Sequence, residues 1–196
     1  MRPVPVLLLT SLVALAANPP RSDPKAVGSP SAPITIEVFS DFQCPHCKTL
    51  DEQTLPQLIK NYAATGKVYL IHREFPLPGH QYSRLAAAYA TAAARVGKYS
   101  DVADRLFLHQ AEWSVSGKVD ETACRGLTAA EAQTVRSLVN DKTIAAEIDR
   151  DVELGRSIGL QQTPTMLIKH GSTSYPWPGA VNYELLRSYL DGLLAQ

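Results

Sequence analysis

The run Ile34-Thr35-Ile36-Glu37-Val38-Phe39, followed by Phe42-Gln43-Cys44-Pro45-His46-Cys47-Lys48, constrains this chain more than any other feature. The first stretch is rich in β-branched residues and almost wholly apolar, the pattern of a central strand buried on both sides. The second opens a segment in which Leu50, Leu55, Leu58, Ile59 and Tyr62 recur at roughly helical spacing. Pro45 suits a first helical turn, where a missing N–H leaves nothing unpaired. Two thiols three positions apart therefore sit where a strand hands over to a helix N-terminus. The free N–H groups and the helix dipole there favour an anion on the first sulfur. This is a redox site with a physical mechanism: Cys44 attacks, and Cys47, nearly one turn inside, resolves the mixed disulfide. A protonated His46 between them would favour the Cys44 thiolate further, and a stabilised thiolate makes the pair oxidising.

Other uses of two such thiols fit less well. A structural bridge between residues three apart closes almost no loop and gives little entropic stabilisation. Zinc would want two more ligands at motif spacing, and the sequence has no second CxxC and no HxxxH. Covalent haem wants Cys-x-x-Cys-His, whereas Lys48 follows Cys47. His72, His80, His109 and His170 form no ligand pattern and read as surface or structural histidines. No bound metal or organic cofactor is expected.

The rest of the chain reads as an α/β fold. Pro56 should kink or divide the helix after the dithiol, and Gly66 should end it. Val68 to His72 is a second strand, which completes a right-handed parallel βαβ unit. The middle contains no persuasive strand. Tyr82 to Val96 is Ala-rich and helical, and Val102 to Gln110 has helical spacing. Thr128-Ala129-Ala130-Glu131 is a capping-box sequence that opens one helix running as far as Val152. We expect these helices to interrupt the core as an insertion over about 80–155. Thr165 to Ile168 is then a strand, Thr173 to Trp177 its antiparallel neighbour, and Tyr183 to Leu194 a closing amphipathic helix. The expected core is a mixed central sheet with helices on both faces.

The ends and the charge balance set further bounds. Val4 to Ala17 is mostly apolar and finishes in small residues, so residues 1–17 read as an export signal with cleavage after Ala16 or Ala17. An uncleaved anchor is the competing reading, but the apolar run is short for a span. Residues 18–33 are Pro-rich and read as a leader or tether. The 19 Lys plus Arg balance 19 Asp plus Glu, with no basic stripe, so nucleic acid has no electrostatic support as a partner.

Three features together resemble the DsbA-like thiol–disulfide oxidoreductases of the thioredoxin superfamily. They are Phe39-Ser40-Asp41-Phe42-Gln43-Cys44-Pro45-His46-Cys47-Lys48, the segment Gly159-Leu160-Gln161-Gln162-Thr163-Pro164-Thr165-Met166, and the helical insertion. They cover residues 32–196. The resemblance implies a thioredoxin fold over 34–196, with a cis Pro164 facing the dithiol and Thr163 beside Cys44. It implies that Thr163, Gln162 and Pro45 border the substrate, with an extended segment pairing to the backbone around Thr163. From the residues alone, Pro164 could equally be a trans proline starting a strand.

Glu37 is the odd charge in a buried-strand pattern. It could accept the proton of Cys47, or lie at a sheet edge and reach water. Cys124 reads as a buried, inert thiol, with bridging to another chain as the alternative. Phe42 and the group Tyr175, Trp177 and Pro178 could line an apolar collar near the dithiol. The resemblance implies a likeness of task as well. The expected protein is an exported monomer of the periplasm or cell envelope, donating its disulfide to reduced or unfolded exported polypeptides. A quinone-linked membrane partner would reoxidise it. The rival task is that of a periplasmic reductase or isomerase.

Overall fold

The computed structural model describes residues 22–196, so the export signal expected over 1–17 lies outside the described residues. Five strands, β1 (Ala26–Val27), β2 (Ile34–Ser40), β3 (Val68–Glu74), β4 (Thr165–His170) and β5 (Thr173–Pro178), form one mixed sheet in the order β1-β3-β2-β4-β5. Strand β2 is central. It runs parallel to β3 and antiparallel to β4. Strand β5 pairs antiparallel with β4 and forms one edge.

The other edge corrects an expectation. Residues 18–33 read as a tether, yet Ala26–Val27 forms β1 and pairs antiparallel with β3. Lys25 beside it is buried, with Nζ 2.5 Å from Asp151 and 3.5 Å from Glu147. Lysine reads as a surface residue in composition, but opposite charges let it be buried. Gly28 allows the close approach that follows: a Cβ there would lie 2.4 Å from the Val68 carbonyl, and its φ of 97° is a glycine conformation.

The helix after the dithiol is divided, as Pro56 demands. Helix α1 (Pro45–Gln53) stops at Thr54, α2 (Leu55–Leu58) carries Pro56 in its first turn, and a π-helical turn follows over Ile59–Ala63. Leu50, Leu55 and Leu58 pack on Ile34, Ile36 and Val38 of β2, together with Leu186 and Leu190 of α9 (Tyr183–Leu194). Phe39 points to the opposite face, where it meets Phe75, Leu167 and α8 (Lys142–Ser157). Gly155 lets α8 lie flush there, since a Cβ would meet Phe75 ring carbons at 2.5 and 2.8 Å.

Between β3 and β4 the chain is helical: α3 (Ser83–Ala94), α4 (Tyr99–Leu108), α5 (Gln110–Ser116), α6 (Val119–Cys124), α7 (Ala129–Leu138) and then α8. They enclose their own core around the alanines of α3, Leu106, Trp113 and Ile144. Thr128 and Glu131 make the capping box that opens α7. The single helix expected from there to Val152 is two. Asp141 interrupts it and accepts the Thr143 N–H at 2.7 Å, so its side chain caps a new helix instead of continuing the old one.

Candidate active site

The turn from β2 into α1 brings both thiols to the C-terminal end of the central strand. Cys44 occupies the N-cap of α1 in extended conformation, without a side-chain oxygen to cap the helix. Cys47 lies one turn inside and is almost fully buried, at 1% exposure against 5% for Cys44. Both are free thiols.

Side chains from distant segments fix the turn. Gln110 at the start of α5 donates from Nε2 to the carbonyls of Phe42 (2.7 Å) and Cys44 (3.0 Å). Gln43 accepts the Tyr82 N–H at 2.8 Å. Asp41 accepts N–H bonds from Gln43 and Leu77, each at 2.7 Å. Its own N–H points at the Cys47 sulfur, 3.4 Å away.

The two sulfurs are electrostatically unequal. The Cys44 thiol is held down to about 5, first by the hydrogen bond from the Cys47 thiol. That outweighs the cost of burial. Thr163 and the backbone N–H groups of Cys47 and His46 add to it. Cys47 is pushed above the ordinary thiol range, chiefly by burial and then by the same bond to Cys44. An anion on the outer sulfur and a proton on the inner one is the arrangement a nucleophile with a reserve thiol needs.

Opposite Cys44 lies the turn before β4. The Thr163–Pro164 bond is cis. The Thr163 carbonyl is 3.5 Å from the Cys44 sulfur, and the Thr163 hydroxyl is buried without a hydrogen-bond partner. Gln162 is exposed, and its carbonyl accepts the Thr165 hydroxyl. Beyond it, Ile158, Leu160, Gln162, Pro176 and Pro178 line a cavity of about 360 Å³. Pro45 and His46 are exposed on the first turn of α1. His46 acts on the Cys44 sulfur through its backbone N–H, while its imidazole faces solvent.

Glu37, expected as a proton acceptor for Cys47, is held by two cations. It lies on the face of β2 opposite Ile36, Val38 and α1. There Arg73 donates to it at 2.6 and 2.9 Å, and Lys169 forms an ion pair with its other oxygen. Burial pushes its carboxyl up, but Lys169 and Arg73 outweigh burial and hold it below the usual range. A strand alternates faces at every residue, so an acid one position along would look toward the other side.

Cys124 ends α6, buried and 3.4 Å from Asp120. Burial, then Asp120, raises its thiol to about 11, which fits an inert thiol. Phe42 packs inward on Phe107, with ring centroids 4.8 Å apart, and Tyr175 and Trp177 turn to Tyr189 of α9, so these aromatics do not form a collar. Sequence reasoning missed Gln110 and Asp41, and with them the contact of His80 Nδ1 with the Asp41 carboxylate at 2.8 Å. Asp41 stood inside the motif as a polar residue beside a buried strand. Gln110 gave no signal, because only the fold brings it to the turn.

A family model described as thioredoxin matches residues 21–191. The curated disulfide bond formation protein D of Bacillus subtilis (strain 168) is 26% identical over 164 residues, covering 79% of this chain and 72% of that protein. The solved structure of Wolbachia pipientis alpha-DsbA1 superposes with a TM-score of 0.73 at 24% identity, over 86% of this chain and 89% of that one. That of oxidised BdbD from Bacillus subtilis gives 0.71 at 23% identity, over 88% and 93%. These likenesses extend over the sheet and the helical insertion alike.

Proposed function

The chain belongs to the DsbA-like thiol–disulfide oxidoreductases of the thioredoxin superfamily, and from that membership we propose that it works as an oxidase, donating a Cys44–Cys47 disulfide to reduced exported polypeptides. The observation that carries the reading is the unequal pair: an outer sulfur held as an anion by hydrogen bonds at a helix start, and an inner one buried and protonated. Stabilising that thiolate stabilises the reduced protein, so the disulfide is readily given away.

In the oxidised protein a substrate thiolate attacks the Cys44 sulfur. The Cys44–Cys47 bond breaks, and Cys47 leaves and takes up a proton. A second substrate thiolate then attacks the substrate sulfur of the mixed disulfide. Cys44 leaves as a thiolate, and its low proton affinity makes it a good leaving group. The substrate ends oxidised by two electrons and the protein reduced by two. Thr163, Gln162 and Pro45 border the path of an extended substrate, with cis Pro164 shaping the wall opposite Cys44. His46 adds positive charge near Cys44 when protonated. The protein is read as exported to the periplasm or cell envelope and monomeric there. A quinone-linked membrane partner takes the two electrons and restores the disulfide.

A reductase or isomerase is the second reading, and the anion-favouring surroundings of Cys44 argue against it. Reoxidation of a reduced substrate protein, insulin reduction and the reduction potential separate the two. The oxidase reading expects rapid oxidation of the substrate, abolished by Cys44→Ser, and a potential near about −120 mV, the range of a disulfide-forming oxidase. A potential near about −270 mV, thioredoxin's value, with efficient insulin reduction would transfer the protein to the reductases.

A further inference from the structure

We propose that Asp41 and His80 form a coupled pair of positioning residues that sets the redox poise of the dithiol: Asp41 holds both cysteines in register, and His80 screens its carboxylate from the sulfurs. The proposal deepens the oxidoreductase reading and rests on it.

Asp41 is one residue in contact with both cysteines. Its carbonyl accepts the Cys44 N–H at 3.0 Å, and its N–H lies 3.4 Å from the Cys47 sulfur. Its carboxylate is fully buried. A buried carboxylate must find donors, and this one finds three. Oδ1 takes the Gln43 N–H at 2.7 Å, and Oδ2 takes the Leu77 N–H at 2.7 Å and His80 Nδ1 at 2.8 Å. Two of the three come from the loop after β3, so the carboxylate clamps that loop to the dithiol turn. The loop is itself braced, with the His80 N–H on the Leu77 carbonyl at 3.0 Å and the Phe75 N–H on the Ser40 carbonyl at 2.8 Å.

The clamp has an electrostatic consequence. The carboxylate belongs to the residue whose own N–H meets the Cys47 sulfur at 3.4 Å, so its negative charge disfavours a second one on the dithiol. Two of its donors are backbone N–H groups, and among the described residues the imidazole of His80 is its only side-chain partner. That imidazole is 28% exposed, so it connects the buried carboxylate to water. No lysine or arginine of the described residues pairs with Asp41, in contrast to Glu37 on the other face.

Charge coupling and mere bracing predict different signs. Asp41→Asn keeps the shape and an acceptor oxygen but removes the charge, so the Cys44 thiolate should become easier to form. His80→Ala removes the screen, so the thiolate should become harder to form. We expect about a threefold loss in the thiolate equilibrium for His80→Ala and a gain of up to about tenfold for Asp41→Asn. The redox equilibrium with glutathione should move with each: His80→Ala more reducing, Asp41→Asn more oxidising. His80→Asn, whose amide nitrogen can stand where Nδ1 stood, should recover most of the wild-type value.

The measurements are the ultraviolet titration of Cys44 and the glutathione equilibrium of the full chain. Opposite shifts support the pair. Shifts of one sign in both variants, or none in His80→Ala, overturn it, because a brace alone loosens the site whichever half is lost. Should Asp41→Asn fail to fold, His80→Ala against His80→Asn decides: recovery supports the pair, and equal shifts overturn it. A wild-type protein that exchanges no disulfide with glutathione would sink the oxidoreductase reading and this pair with it. Exchange without opposite shifts removes only the pair.

Discussion

Strand β2 leads to two buried groups with an affinity for negative charge, Glu37 within it and Cys44 just beyond its end, and the protein holds them differently. Glu37 is neutralised by full cations, Arg73 and Lys169. Arg73 also reaches Asp23 and Asp151, and Asp151 takes Lys25, so one charge network ties β1, β2, β3, β4 and α8 together. Cys44 is held by dipoles: the neighbouring thiol, Thr163 and the N–H groups of the first helical turn. Ion pairs fix a charge in place and make it architecture. Dipoles lower the energy of an anion without bonding a counter-charge to it, so the sulfur can still attack or leave. The same depth of burial thus serves structure on one face and chemistry at the strand end.

Breaking the network tests whether the two regions are separate. Lys25→Met leaves Asp151 and Glu147 without their buried cation, and losing one partner of such a pair costs about 4 kcal/mol. The urea midpoint should fall accordingly. Cys44 should still titrate at about 5, because no member of the network touches it. Glu37→Gln is the milder break. Arg73 keeps Asp23 and Asp151, and the loss of a charge-assisted bond costs about 2 kcal/mol. Exchange kinetics in Glu37→Gln should match wild type. A slow resolving step in that variant would return Glu37 to the dithiol and end the contrast.

Legibility follows the same division. The strand–dithiol–helix handover, the parallel β2–β3 pair and the returning hairpin are local patterns of apolar period and turn residues, and they read directly from Ile34–Cys47 and Thr165–Trp177. The α7–α8 break was hidden because the apolar spacing continues through it, and only the Asp141 cap ends the first helix. Strand β1 was hidden because Pro and Ser around it resemble a linker, while its anchor Lys25 depends on Asp151, 126 residues away. Glu37 was legible as the odd charge in a buried strand, but its cations, Arg73 and Lys169, come from the two flanking strands and no local spacing pairs them with it. Gln110 and His80 reach the site from segments whose own spacing reports nothing about Cys44.

The smallest predicted effect sharpens the contrast through pH. In the reduced protein Cys44 titrates at about 5, against about 8.5 for a thiol in the unfolded chain. A depressed folded value contributes stability that is fully present above the unfolded value and is lost as pH falls through the folded one. Cys47 is shifted upward, so it opposes folding only where an unfolded thiol ionises, above about pH 8.5. Between those limits the stability of the reduced form relative to the oxidised form should rise with pH, and below pH 5 the rise should vanish. The other shifted groups do not enter that difference. Glu74, raised to about 8 by burial, and Asp51, raised to about 7 by burial and Asp104, lower stability as pH climbs toward those values, equally in both redox forms. Urea midpoints of the two forms, measured side by side across this range, isolate the sulfur. A difference that stays flat with pH would mean that Cys44 is an ordinary thiol, and the dipoles around it would then be architecture too.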